Sequence, residues 1–141
     1  MQFSNYDFID SKSFTGKIIL TSFPGLNSNG LFEQKILKKY FGEDVILPIR
    51  AHVDSKRYLS SVEEGYYDSL SEASKLSLKV QGGPFTKEEA DDFISKPFMD
   101  KAVELRRFDD LAKILDKKTP NVEHFRPYLE DARKSFLAKQ A

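Results

Sequence analysis

Two pairs of side chains could do chemistry, because each joins a metal-ligating group to a cation one helical turn away. His52 and Lys56 are four residues apart, and so are Asp109 and Lys113, while Arg106 lies three residues before Asp109. Side chains at these spacings share one face of a helix. If the two helices face each other, an imidazole and a carboxylate meet beside three cations. Such a cluster suits a hard metal or a phosphate-like anion.

Spacing alone leaves structural explanations for the same residues open. A histidine on an apolar helix face is more often a hydrogen-bonded core residue than a metal ligand. Asp109 and Arg106 are also spaced as an ordinary helical ion pair, worth a few tenths of a kcal/mol. Lys56 and Lys113 could be solvated surface lysines. The other histidine, His124, precedes an Arg-Pro step and is more typical of an exposed helix end than of a ligand.

Composition narrows the classes of function. The 141 residues hold 22 basic and 22 acidic side chains, so the net charge of zero argues against a nucleic-acid binder. The absence of cysteine excludes disulfides, thiolate nucleophiles and iron–sulfur clusters. With only two histidines, any metal centre must be rich in oxygen ligands. No apolar run approaches a membrane span and no signal-peptide pattern opens the chain, so we expect a cytoplasmic protein.

The chain divides by composition near residue 30. Residues 1–30 are rich in Ser, Asn, Phe and Gly, and residues 17–23 predict a single short strand followed by turns. From residue 31 onward the apolar spacing is helical. We therefore expect a divergent, strand-containing N-terminal arm over 1–30 and a mainly α domain over 31–141.

Apolar periodicity and capping signals predict six helices, over 31–41, 44–59, 69–80, 87–95, 97–113 and 127–138. Thr86 and Glu89 have capping-box spacing at the start of the fourth helix. Pro97 and Pro127 are placed as the first residues of the last two. The third helix should bury one apolar stripe, formed by Leu70, Ala73, Leu76 and Val80.

Three blocks of sequence resemble the later half of the phosphonate-cleaving HD-domain oxygenases. They are LPIRAHVDSKRYL at 47–59, LKVQGGPFT at 78–86 and LRRFDDLAK at 105–113. The blocks occur in the family's order with family-like spacing, and the resemblance spans roughly residues 31 to 130. Inositol oxygenase is a more distant likeness, through the pattern that runs from Asp109 to Lys113.

The resemblance implies an all-α HD fold around a di-iron centre that activates oxygen to cleave a carbon–phosphorus bond in a hydroxylated aminoethylphosphonate. It also implies that His52 and Asp109 are iron ligands. Many relatives are described simply as HD phosphohydrolases. The positions that the resemblance places around the substrate's phosphonate are Lys56, Ser74, Ser77, Arg106 and Lys113.

The chain departs from the family in its first part. The family's earlier half supplies further histidine ligands, and no histidine precedes residue 31 here. We therefore expect a truncated HD-domain bundle that is inactive and binds no iron alone.

Three functions follow in order of preference. The first is a degenerate protein-interaction module, acting as a homo-oligomer or with a protein partner. The second is a binder of a small phosphate or phosphonate. The third is a di-iron oxygenase or HD phosphohydrolase whose site, with its iron, is completed by another subunit.

Overall fold

The computed structural model describes residues 37–112, 116, 118 and 120–141, and these residues are mainly α-helical. The predicted arm over 1–30, most of the predicted first helix and Lys113 lie outside the described residues. No strand occurs within the described ranges, and none of their helices is long and apolar enough to cross a membrane. The helices that follow residue 42 are α1 (Glu43–Arg50), α2 (His52–Val62), α3 (Tyr66–Ser69), α4 (Glu72–Val80), α5 (Lys87–Ser95), α6 (Met99–Ala112) and α7 (Val122–Gln140).

The predicted helix over 44–59 is divided in two at Ala51. Helical hydrogen bonds still join Ala51 to Leu47 and Ser55 to Ala51, so the axis bends rather than stops. Pro48 lies inside α1 and removes one hydrogen bond, and the Ser55 hydroxyl donates to the Ala51 carbonyl over 2.8 Å. Both features bend helices. Because the bend precedes His52, the spacing between His52 and Lys56 on α2 is undisturbed.

The apolar stripe predicted for the third helix is wrong. Leu70 is buried, but it precedes α4, and Ala73, Leu76 and Val80 on the helix are exposed. Leu78 is the buried residue of α4, and Ser77 is half-buried one residue before it. The face of α4 that packs against the rest of the described fold therefore carries the Ser77 hydroxyl beside Leu78.

The capping box at Thr86 is confirmed, and α5 covers the predicted residues. The two proline starts are wrong. α6 begins at Met99 because Phe98 adopts a left-handed backbone conformation that interrupts the helix. α7 begins at Val122, where the Asn121 side chain accepts a hydrogen bond from the backbone, and Pro127 lies inside the helix.

Helix α6 is central to the described fold, since it packs against α1, α2 and α5. Helix α2 in turn packs against α3 and α5. Apolar contacts between α1 and α6 include Val45, Ile49 and the fully buried Leu105. Val45 and Ile49 are buried, and His52, three residues after Ile49, is half-buried at the start of α2. The packing of α2 on α6 brings His52 on α2 next to Arg106 and Asp109 on α6.

Candidate functional site

Three of the residues singled out by type and spacing meet where α2 packs on α6. Nε2 of His52 lies 3.1 Å from Nη1 of Arg106 and 3.8 Å from Oδ2 of Asp109. Nη1 of Arg106 lies 3.6 Å from the same Asp109 oxygen. The imidazole, the carboxylate and the guanidinium therefore converge.

The contact between His52 and Arg106 determines which ring nitrogen of His52 accepts a hydrogen bond and which carries the proton. An arginine keeps its protons and only donates, so Nε2 of His52 accepts the hydrogen bond. A neutral imidazole that accepts at Nε2 carries its proton on Nδ1. In this arrangement the guanidinium of Arg106 is the positive group nearest to Nε2 of His52 among the contacts of the described residues.

Lys56 joins α2 to α4. Its side chain is buried, and its Nζ donates to the Ser77 hydroxyl over 3.1 Å. Ser74, expected beside the same group, instead bonds to Ser71, which caps the start of α4. The structure thus brings Lys56 and Ser77 together and leaves Ser74 apart. Lys113 lies outside the described residues, and its place in the cluster stays a prediction.

Tyr66 and Asp110 complete the surroundings of Arg106, and neither residue was predicted from the sequence. Asp110 accepts from Nη2 of Arg106 over 2.6 Å and from Nε over 3.3 Å. The Tyr66 hydroxyl donates to Asp110 over 2.6 Å and accepts from Nε of Arg106 over 3.1 Å. The four-residue spacing of Arg106 and Asp110 is an ion-pair signal that could have revealed the carboxylate. Tyr66 carries no local signal.

Burial and these contacts set the protonation of the network. Burial, reinforced by the hydrogen bond to Asp110, raises the pKa of Tyr66 to about 12, so the phenol is neutral in ordinary buffers. Burial opposes the charge on Arg106, but the electrostatic and hydrogen-bonding contributions of Tyr66 and Asp110 outweigh it and raise the pKa of Arg106. Arg106 is therefore a permanently charged group held inside the protein.

The charge balance differs from the expected three cations beside one carboxylate. Asp110 adds a second carboxylate, and it takes the strongest contact of Arg106. Within the described residues, Lys56 and Arg106 are balanced by Asp109 and Asp110. Any anion that binds here must therefore rely on close hydrogen bonds, since the expected positive excess is reduced.

The described residues do not fit a di-iron centre by themselves. His52 and Asp109 are the two donors that meet, and no group of three or more His, Asp or Glu side chains in the described ranges could hold a metal. Metal–ligand bonds are about 2.0–2.2 Å long, so an ion bound to both would lie close to Nη1 of Arg106. Two positive groups in that space repel each other strongly.

Comparison with known proteins relates this chain, whose described residues are mainly helical, to the phosphonate dioxygenases. It is 43% identical over 94 residues to the hydroxymethylphosphonate dioxygenase of Gimesia maris, covering 67% of this chain and 47% of that protein. It is 36% identical over 96 residues to the glycine-betaine-forming 1-hydroxy-2-(trimethylamino)ethylphosphonate dioxygenase of Leisingera caerulea, covering 68% and 49%. An uncharacterised protein of Acanthamoeba polyphaga mimivirus is 33% identical over 101 residues, covering 72% and 46%. The chain spans about half the length of the curated relatives it matches. No family model matches it.

Proposed function

We propose that the described helices form the anion-binding side of an HD-type phosphonate dioxygenase site. In this role the chain binds the phosphonate or phosphate group of a small molecule and, as a single chain, does not oxidise it. The two donors His52 and Asp109 are too few for a di-iron centre, while Arg106 contacts both of them and the buried Lys56 lies one helical turn after His52 on α2.

The observation that carries this proposal is the buried ammonium of Lys56 on the Ser77 hydroxyl. Lys56 is only 5% exposed, and lysines are seldom buried without a functional or ionic reason. An ammonium next to a hydroxyl offers several donors to phosphate-like oxygens. Arg106 adds a second cation through its contact with His52, one helical turn before Lys56 on α2.

The ligand class follows from what the names of the two relatives have in common. Both names describe a phosphonate that carries a hydroxyl on the carbon next to phosphorus. The substituents beyond that carbon differ. We therefore propose 1-hydroxyalkylphosphonates as ligands, with inorganic phosphate as the minimal mimic.

Calorimetric titration with hydroxymethylphosphonate and with phosphate tests the proposal. We expect binding that weakens as salt rises, and a loss of about tenfold or more in Lys56→Met, because a charge-assisted hydrogen bond contributes about 1.5–3 kcal/mol. Ser77→Ala should weaken binding less. Lys79→Met, which removes an exposed lysine from α4, is the matched control and should bind normally. Equal affinity in Lys56→Met and the parent protein would refute the proposal.

A second candidate function, protein interaction, is favoured by the exposed face of α4. Leu76 and Val80 are 65% and 81% exposed and lie one turn apart. We propose that these two side chains form part of a contact with a second copy or a protein partner. Sedimentation of the parent protein and of Leu76→Ser/Val80→Ser would test it, since the variant should associate less. In such an assembly another subunit could supply the further iron ligands of an active oxygenase or phosphohydrolase.

A further inference from the structure

Arg106 is held along one edge by Tyr66 and Asp110, neither of which belongs to the predicted binding residues. Asp110 accepts from both Nε and Nη2, which is the bidentate geometry that orients a guanidinium best. Tyr66 adds a third contact at Nε while donating its own proton to Asp110. The plane of the guanidinium is therefore determined by Asp110 and Tyr66.

The backbone before α3 carries Tyr66 to this position. Gly65 has φ +78, a left-handed conformation that side chains rarely tolerate, and it directly precedes Tyr66. The chain leaves α2 and re-enters a helix at this glycine, so the Tyr66 ring packs inward with Leu59, Leu70 and Leu78. Its hydroxyl then reaches Arg106 and Asp110 on α6.

The opposite corner of the guanidinium faces the site. Nη1 is the nitrogen that approaches His52 and Asp109. An arginine side chain that is free to rotate loses rotamer entropy when it binds a ligand, whereas one that is already fixed does not. Because the pKa of Tyr66 is about 12, its donated hydrogen bond persists throughout the neutral range.

We infer that Tyr66 and Asp110 are positioning residues that hold Arg106 so that its Nη1 corner contacts the phosphonate of the bound ligand. This inference rests on the proposed function, and it adds to it the residues that orient the second cation. It also predicts that Arg106 contacts the ligand through Nη1 alone, because Asp110 already accepts hydrogen bonds from Nε and Nη2.

The test combines affinity with a direct measurement on the guanidinium. Calorimetric titration with hydroxymethylphosphonate is carried out on the parent protein, Tyr66→Phe, Asp110→Asn and the control Tyr67→Phe, a residue that is 42% exposed. In parallel, the exchange of the Arg106 Nε–H with water is followed by nitrogen-15 NMR. The signal is assigned by its disappearance in Arg106→Lys.

We expect Tyr66→Phe to bind about threefold to tenfold more weakly, the effect of one lost orienting hydrogen bond, with faster Nε–H exchange. Tyr67→Phe should match the parent protein in both measurements. Asp110→Asn separates orientation from charge, since loss of a negative charge by itself would strengthen anion binding. We expect Asp110→Asn to bind more weakly than the parent protein as well. If Tyr66→Phe does not fold, the affinity of Asp110→Asn tests the positioning role by itself.

Failure of the positioning role and failure of the proposed function give different results. If the parent protein binds and Tyr66→Phe binds equally well, or Asp110→Asn binds more tightly, the positioning role is wrong and the proposed function stands. If the parent protein binds neither hydroxymethylphosphonate nor phosphate, the proposed function itself fails and the inference fails with it.

Discussion

Nη1 of Arg106 lies 3.1 Å from Nε2 of His52, although the two residues are 54 positions apart in the chain. The contact places a permanent cation against the histidine that resemblance to the HD-domain oxygenases predicts to be an iron ligand. It also ties α2 to α6 through polar groups at the centre of the described fold. Several measurable consequences follow from the network around this pair.

Truncation of the buried Arg106 should destabilise the protein far more than truncation of the exposed Arg107. Arg106→Ala leaves Tyr66 and Asp110 without their cation, and breaking a buried pair costs about 3–5 kcal/mol. Asp110 keeps some exposure to water, so we expect about 3 kcal/mol, the lower end of that range. Arg107→Ala removes an exposed pair with Glu63 and should cost about 1 kcal/mol or less. Urea unfolding of both variants measures the difference, and equal losses would contradict it.

Tyr66 should make the protein less stable at high pH. The pKa of Tyr66 is about 12 in the folded state and about 10 in the unfolded chain. A raised pKa favours folding while the phenol is protonated, so the contribution is complete below pH 10 and is lost between pH 10 and 12. The loss is about 2 to 3 kcal/mol.

Comparison of Tyr66→Phe with Tyr67→Phe separates the contribution of Tyr66 to stability at high pH from the contribution of lysines that titrate in the same range. The free energy of unfolding of Tyr66→Phe should fall less between pH 9.5 and 11.5 than that of Tyr67→Phe. Absorbance titration should show a phenol with a pKa of about 12 in Tyr67→Phe that is missing from Tyr66→Phe. Parallel pH profiles of the two variants would exclude the predicted coupling.

Iron loading should leave the isolated chain well short of two metal ions. His52 and Asp109 provide two donors, and Arg106 lies against both of them. We expect fewer than one tightly bound iron per chain after anaerobic reconstitution and desalting, measured by elemental analysis. His52→Ala is the control for adventitious binding and should retain a similar amount. About two irons per chain, lost in His52→Ala, would overturn the expectation.

The capping box of α5 should contribute measurably to stability. The Thr86 hydroxyl accepts from the Glu89 backbone, and the Glu89 carboxylate accepts from the Thr86 backbone. Thr86→Ala should lower the free energy of unfolding by about 1 kcal/mol. Ser95→Ala, at the exposed end of the same helix, should change it by about 0.5 kcal/mol or less. Thermal or urea unfolding distinguishes these outcomes.

The sequence was sufficient to predict those features that depend on residues close together in the chain. The capping box over Thr86 and Glu89 and the bounds of α5 were predictable, because capping is a contact between residues three apart. The convergence of His52 with Arg106 and Asp109 was predictable as soon as the two helices were assumed to face each other. The predicted start of the last helix at Pro127 is wrong because the Asn121 side chain caps the helix earlier in the chain.

Tertiary packing decided the rest. The apolar spacing of residues 70–80 indicated one face of α4, yet the face carrying Ser77 and Leu78 packs inward, where Ser77 receives a hydrogen bond from Lys56. Tyr66 reaches Arg106 across 40 positions because Gly65 redirects the chain, and no local pattern encodes that meeting. By itself the sequence determined which chemical groups this protein carries and which helical turns hold them. Only the packing of α2, α3 and α6 determined which partner each charge acquires, since electrostatic and hydrogen-bond energies depend on distances that residues far apart in the chain reach only in the folded state.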